Sequence, residues 1–269
     1  MNTSVGSCVV VDSNRSGIRL GRHTWLVAVL ALLVSFVPSV VFYISTGGES
    51  DGNVLADLWP GLVVASTLLI GLLWASGWSH RVGFVRPKVG WWRWYVLPSV
   101  WAFGLYGAGR LSGWGDPEPF PLAGLILVLI LVGFTEETVY RGFLLHAFRT
   151  KLPLGAAVVA TSSLFALSHT GTGETAASIA VTIVAVFALA VLQAALYVVG
   201  GSLIPVIAWH IWWDLMMFSG GGIDLDADAT ALAWGGLIAT ILMTLSYGTY
   251  LLTQHAPRHT PQRRRPQGT

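Results

Sequence analysis

Long apolar runs separated by short polar or charged breaks occupy most of this chain. A membrane-crossing helix needs roughly 20 predominantly apolar residues, or fewer where protein buries it. Eight segments meet that requirement to differing degrees: Thr24–Ile44, Leu58–Trp78, Trp91–Ala108, Pro121–Phe148, Leu154–His169, Ala176–Tyr197, Ser202–Phe218 and Thr230–Leu252. The first is too long and apolar for a signal-peptide core and has no clear small-residue cleavage site after it, so it reads as a retained span. The third contains Pro98 and the fifth is short, so both need neighbouring helices to cover their backbone. The pattern therefore predicts an all-α polytopic membrane protein of about eight transmembrane helices. Its domain plan is an N-terminal tail over residues 1–23, one multi-pass domain over 24–254, and a C-terminal tail over 255–269 whose Pro, Gln and Arg content predicts disorder. No internal repeat and no soluble domain is visible.

Composition agrees. Of 269 residues, 54% are hydrophobic and only 10% charged, whereas a soluble surface carries charge nearer a quarter of the chain; a water-soluble fold is thereby excluded. The 13 Trp and 31 Gly fit a membrane domain, where both residues are enriched. Cys8 is the only cysteine and cannot form an internal disulfide. VGSC at residues 5–8 has a faint likeness to a lipoprotein cleavage site, but no apolar stretch precedes it, so Cys8 reads as a tail residue.

Charge placement then orients the spans. Arg15, Arg19 and Arg22 precede the first span; Arg81, Arg86, Lys88 and Arg93 lie between the second and third; Arg149 and Lys151 follow the fourth; Arg258, Arg263, Arg264 and Arg265 follow the eighth. Thirteen of the fifteen basic residues thus fall on one side, and the positive-inside rule makes that side cytoplasmic. The alternate loops hold acids, including Glu49, Asp51, Asp116, Glu118, Glu174 and Asp224, with Arg110 the basic exception. Both termini are expected in the cytoplasm, with the protein in the cell membrane. The basic tail and the Arg81–Arg93 loop could also attract anionic lipid.

Six ionisable residues remain inside or at the ends of spans: Glu136, Glu137, Arg141, His169, His210 and Asp214. A charge near the bilayer centre costs on the order of 3 kcal/mol, so this set would cost roughly 10 kcal/mol unpaired. They must meet one another, water or a metal. Depth along each helix supports convergence: Glu136 lies about 20 Å from the Arg149–Lys151 loop, His169 about 23 Å from Leu154, and His210 and Asp214 about 12 and 18 Å from Ser202. Glu137 and Arg141 are four apart on one helix and are expected to form an ion pair. Glu136 points about 100° away, free to face a different partner, with Tyr140 on its own side. His210 and Asp214 share a face four apart, which suits an acid that orients an imidazole or joins it in holding an oxyanion. Such pairs also occur as helix locks or proton paths. His23, His80, His146, His255 and His259 belong to tails, loops or a span end and read as solvated. Trp209, Trp212, Trp213 and Phe165 read as packing residues.

Three segments carry a resemblance: EETVYR at 136–141, FALSH at 165–169 and HIWWD at 210–214 are similar to the three motifs of the CPBP intramembrane proteases. That family includes CAAX prenyl endopeptidases of the Ras-converting-enzyme type and bacterial Abi proteins. Its pattern is Glu-Glu-x-x-x-Arg on one helix, Phe-x-x-x-His on the next, and His-x-x-x-Asn or Asp two helices later. The resemblance covers about residues 121–218 and implies an active site among spans 4, 5 and 7. Asp214 stands where the better-studied CAAX proteases have Asn, so its role as a neutral oxyanion donor requires protonation, or else it serves His210.

The resemblance implies a (metallo)endopeptidase that hydrolyses a peptide bond within the membrane, with Glu136 as the base for water and His169 positioning that water or binding a metal. His210 and Asp214 would steady the oxyanion or complete the metal shell, with Glu137 and Arg141 in support. Zinc is an open option at His169 and His210, since two histidines and a carboxylate can form a catalytic zinc site and can equally activate water without one. Expected partners are the bilayer and a membrane-embedded, prenylated or otherwise lipidated peptide, not nucleic acid. A non-catalytic immunity or scaffold protein of the same fold, and a proton- or metal-coupled carrier, are the alternatives. No substrate is named by the sequence.

Overall fold

The computed structural model describes residues 23–45, 54–112, 121–170, 175–220 and 231–255. The outer parts of both tails, with Cys8, His259 and their arginines, lie outside these residues, as do the acids named above for the alternate loops. Within them, eight helices and no strand are present: α1 (Thr24–Ser45), α2 (Val54–Ser76), α3 (Arg93–Ser112), α4 (Leu122–Arg149), α5 (Leu154–Leu167), α6 (Ala176–Gly200), α7 (Ile204–Gly220) and α8 (Ala231–Gln254). Each falls where an apolar run predicts it. α1, α2, α4, α6 and α8 are long and apolar enough to cross a membrane.

α5 is shorter than its apolar run, because the chain tightens after Leu167. Ser168, His169 and Thr170 donate their N–H groups to the carbonyls of Phe165, Ala166 and Leu167, three residues back. Such 3₁₀-type bonds satisfy the last carbonyls of a helix. Large apolar side chains such as Ile44, Ile70, Val100 and Leu242 face outward. They suit lipid rather than water, where a belt of this size would aggregate.

The helices pack as two groups joined through α4. α1 lies on α2, and α2 on α4; α6 lies on α5 and α8, and α3 on α7. α4 and α7 are in direct contact, and Gly133 is the reason they come so close. A Cβ at that position would stand 3.1 Å from Ile211 Cγ1 and 3.5 Å from the Ile207 carbonyl, so a larger residue there would require Ile211 to give way. Ser66 on α2 and Thr135 on α4 share a buried hydrogen bond of 3.0 Å, which ties α2 to α4 one residue before the glutamate pair.

α6 and α7 are joined by a sharp turn in which Gly201 takes φ 67°, a conformation glycine adopts without the cost other residues incur. The loop between α2 and α3 folds back onto this turn. Lys88 Nζ donates to the carbonyls of Val198 and Val199 at 3.3 and 3.1 Å, and Ser202 Oγ donates to Val85 O at 2.6 Å. A cation on the last carbonyls of a helix is favourable for the helix dipole as well. Lys88 therefore does more in the fold than contribute to the charge pattern.

Candidate active site

The glutamate pair stands where α4 changes character. Glu137 closes the regular α-helical part, and Thr138–Leu144 continues as a π-helix in which Leu145 N–H reaches back five residues to Tyr140 O. π-segments inside α-helices are uncommon and occur often at functional sites. Despite the altered winding, the four-residue spacing still pairs Arg141 Nη1 with Glu137 Oε1 at 3.1 Å, with both side chains buried.

Arg141 is held from three helices. Its Nη2 donates to Gln193 Oε1 on α6 and reaches the Ala190 carbonyl at 3.5 Å, while its guanidinium carbon lies 4.3 Å from the Phe165 ring centre on α5. Stacking on an aromatic face suits the flat, weakly hydrated guanidinium.

Glu137 also crosses to α7. Its Oε1 lies 2.7 Å from His210 Nδ1. A carboxylate that is ion-paired with arginine can only accept, so His210 Nδ1 carries the proton, and the ring is thereby fixed in one orientation. The opposite ring nitrogen, Nε2, lies 3.3 Å from Asp214 Oδ2 and 3.6 Å from Glu136 Oε2. The two adjacent glutamates thus do not diverge to separate partners, as their angle on the helix predicts. They embrace one imidazole, because the two nitrogens of the ring face in different directions, Nδ1 toward Glu137 and Nε2 toward Glu136 and Asp214. Exposure divides the pair: Glu137 is 0% exposed and Glu136 27%.

His169 is positioned by the end of α5. Its Nδ1 lies 2.9 Å from the Phe165 carbonyl, which can only accept, so the proton is on Nδ1 and Nε2 presents a lone pair when the ring is neutral. Ser168 Oγ donates to the same carbonyl at 2.7 Å. His169 joins the group across the Phe165 ring, whose centre lies 4.8 Å from its imidazole and 6.4 Å from that of His210, and Asp214 joins it at His210 Nε2. All six residues expected from the sequence therefore gather in one cluster, with His210 at its centre.

Phe165 does more than fill the core. Its ring stands edge-on to Tyr140, His169 and His210 at centroid distances of 4.9, 4.8 and 6.4 Å, so one aromatic separates and spaces the two histidines. Trp209 and Trp213 are buried packing residues, as expected. His146 lies edge-on to Trp78 and takes no part in the cluster. Gln193 was not legible as a site residue among the ionisable groups, although an amide within an otherwise apolar helix is a visible signal.

Among the described residues, no group of three or more His, Cys, Asp or Glu side chains is placed to hold a metal. His210 Nδ1 is engaged by Glu137, and its Nε2 faces the carboxylates of Asp214 and Glu136. What the arrangement can do is hold a water molecule at a partly exposed carboxylate beside the imidazole of His210, with His169 held across the Phe165 ring.

Residues 118–216 match the family model described as type II CAAX prenyl endopeptidase Rce1-like. No curated protein and no solved structure matches the chain. The matched segment contains Glu136, Glu137, Arg141, His169, Gln193, His210 and Asp214. The chain thus carries an Rce1-like domain, consistent with the resemblance drawn from its three motifs, set in a membrane protein.

Proposed function

We propose that the protein is a CAAX-protease-like intramembrane endopeptidase that hydrolyses a peptide bond of a membrane-associated or lipidated protein. The carrying observation is the unequal treatment of the glutamate pair: Glu137 is sealed between Arg141 and His210, while Glu136 remains 27% exposed beside His210. A sealed, ion-paired carboxylate is a structural anion. An accessible one beside an imidazole is placed to take a proton from water.

In this reading Glu136 is the general base. His169, with its proton fixed on Nδ1 by the Phe165 carbonyl, accepts a hydrogen bond from the same water at Nε2 and aims it. His210, anchored through Nδ1 on Glu137, presents an Nε2–H to the oxyanion that develops as water adds to the scissile carbonyl; such preorganised donors are a large contribution to catalysis. Asp214 stands beside that nitrogen at 3.3 Å and keeps the proton on it until the oxyanion forms. An acid in place of Asn thereby serves His210 rather than the substrate. The proton gained by Glu136 passes to the departing amine. No step requires zinc.

The test is cleavage by the purified protein in liposomes of a prenylated C-terminal peptide and of a membrane-peptide library, with Glu136→Ala as the comparison. Loss of cleavage by a factor of about 10² to 10⁴ in a folded Glu136→Ala protein is expected. Equal cleavage by the variant would remove Glu136 from the base role, and a folded wild type that cleaves nothing would favour the immunity or scaffold alternative.

A further inference from the structure

We propose that Gln193, outside the three motifs, is a positioning residue for this site that acts through Arg141 and Glu137 to hold His210; the inference rests on the endopeptidase reading. Gln193 lies in the apolar run FALAVLQAALYVV of α6 and is 0% exposed. An amide in such surroundings is costly unless hydrogen-bonded. Its Oε1 accepts from Arg141 Nη2, yet its Nε2 is buried without a hydrogen-bond partner. An amide kept for packing or for a helix lock would be expected to engage both ends. Here only the acceptor is used, and it is used on the cluster's arginine.

The consequence follows from the geometry of the chain of contacts. Arg141 is long and flexible, and its own helix supplies only the Glu137 contact at 3.1 Å. Gln193 fixes the other end of the guanidinium against α6, with the Phe165 ring beneath it at 4.3 Å. The guanidinium then has one orientation, and so has the Glu137 carboxylate, whose Oε1 takes His210 Nδ1 at 2.7 Å. Removing the acceptor leaves Nη2 only the long 3.5 Å contact with the Ala190 carbonyl, which lets the guanidinium turn about its stem and loosens the carboxylate that aims His210. The hydrogen bond of Gln193 is to Arg141 and not to Glu136, so its loss is expected in kcat rather than KM.

The experiment compares wild type, Gln193→Met, Glu137→Gln and the double variant for kcat and KM on a cleaved membrane peptide. In parallel, nitrogen NMR of labelled histidine in nanodiscs follows His210 and His169. Gln193→Met is expected to lower kcat about tenfold, the scale of one hydrogen bond to a charged group, with KM within about twofold, and to shift the His210 resonances while leaving those of His169 in place. Because the effect runs through Glu137, Gln193→Met should add nothing to Glu137→Gln. A kcat equal to wild type with unmoved His210 resonances, or fully additive losses, would overturn the inference. If wild type cleaves nothing, the endopeptidase reading fails and the His210 resonances still decide the positioning role. Should Gln193→Met not fold, Gln193→Glu, which retains the acceptor, is expected to fold and cleave; failure of both variants to fold would reduce Gln193 to packing and overturn the proposal.

Discussion

Arg141→Met offers the sharpest test of how the buried cluster is held together. Methionine fills much of the same volume but leaves Glu137, which is 0% exposed, without its cation. Removing one partner of a buried ion pair costs about 3–5 kcal/mol, because the remaining charge is uncompensated. Two further contacts go with it: the hydrogen bond to Gln193 and the stacking on Phe165. These share the same guanidinium, so their losses do not add in full to the first. His210 Nδ1 still donates to Glu137 and offsets part of the penalty, which places the expectation near the lower end, about 3 kcal/mol. Neutralising the acid should then recover much of it: the double variant Arg141→Met/Glu137→Gln is expected to be more stable than Arg141→Met alone by about 1–3 kcal/mol. Reversible unfolding in detergent micelles, followed by tryptophan fluorescence, measures both. Arg141→Met within about 1 kcal/mol of wild type, or a double variant no better than the single, would refute the view that Arg141 is the charge on which Glu137 depends.

Two further outcomes bear on the site. Gly133→Ala places a Cβ 3.1 Å from Ile211 Cγ1 and should push α7 outward, destabilising by about 1–3 kcal/mol and lowering cleavage further by displacing His210 and Asp214 from Glu136; cleavage unchanged in the folded variant would show that the α4–α7 approach does not govern the site. Treatment of the purified protein with a strong chelator should leave the rate of peptide cleavage unchanged, since every step proposed uses side chains and water; loss on chelation with recovery on added zinc would instead place a metal at His169 and His210.

Much was legible in the sequence because it depends on short-range pattern. The apolar runs place all eight helices to within a few residues, since burying backbone polar groups in lipid forces each run into a helix. The Glu137–Arg141 and His210–Asp214 pairs follow from the four-residue period of one helix, and the expense of intramembrane charge singles out the six ionisable residues.

The tertiary structure decided what lies between helices. Which faces of α4 and α7 meet is not written along either helix: Gly133 lies against Ile211 and Ile207, and across the same contact Glu136 and Glu137 share one histidine. The π-segment after Glu137 and the tightened end of α5 that orients His169 are local in place but settled by packing, because hydrogen-bond patterns of nearly equal cost compete there. Gln193 is the clearest case. On its own helix it is one amide among apolar residues; its meaning comes from an arginine 52 positions away, and no period along a single helix encodes that distance.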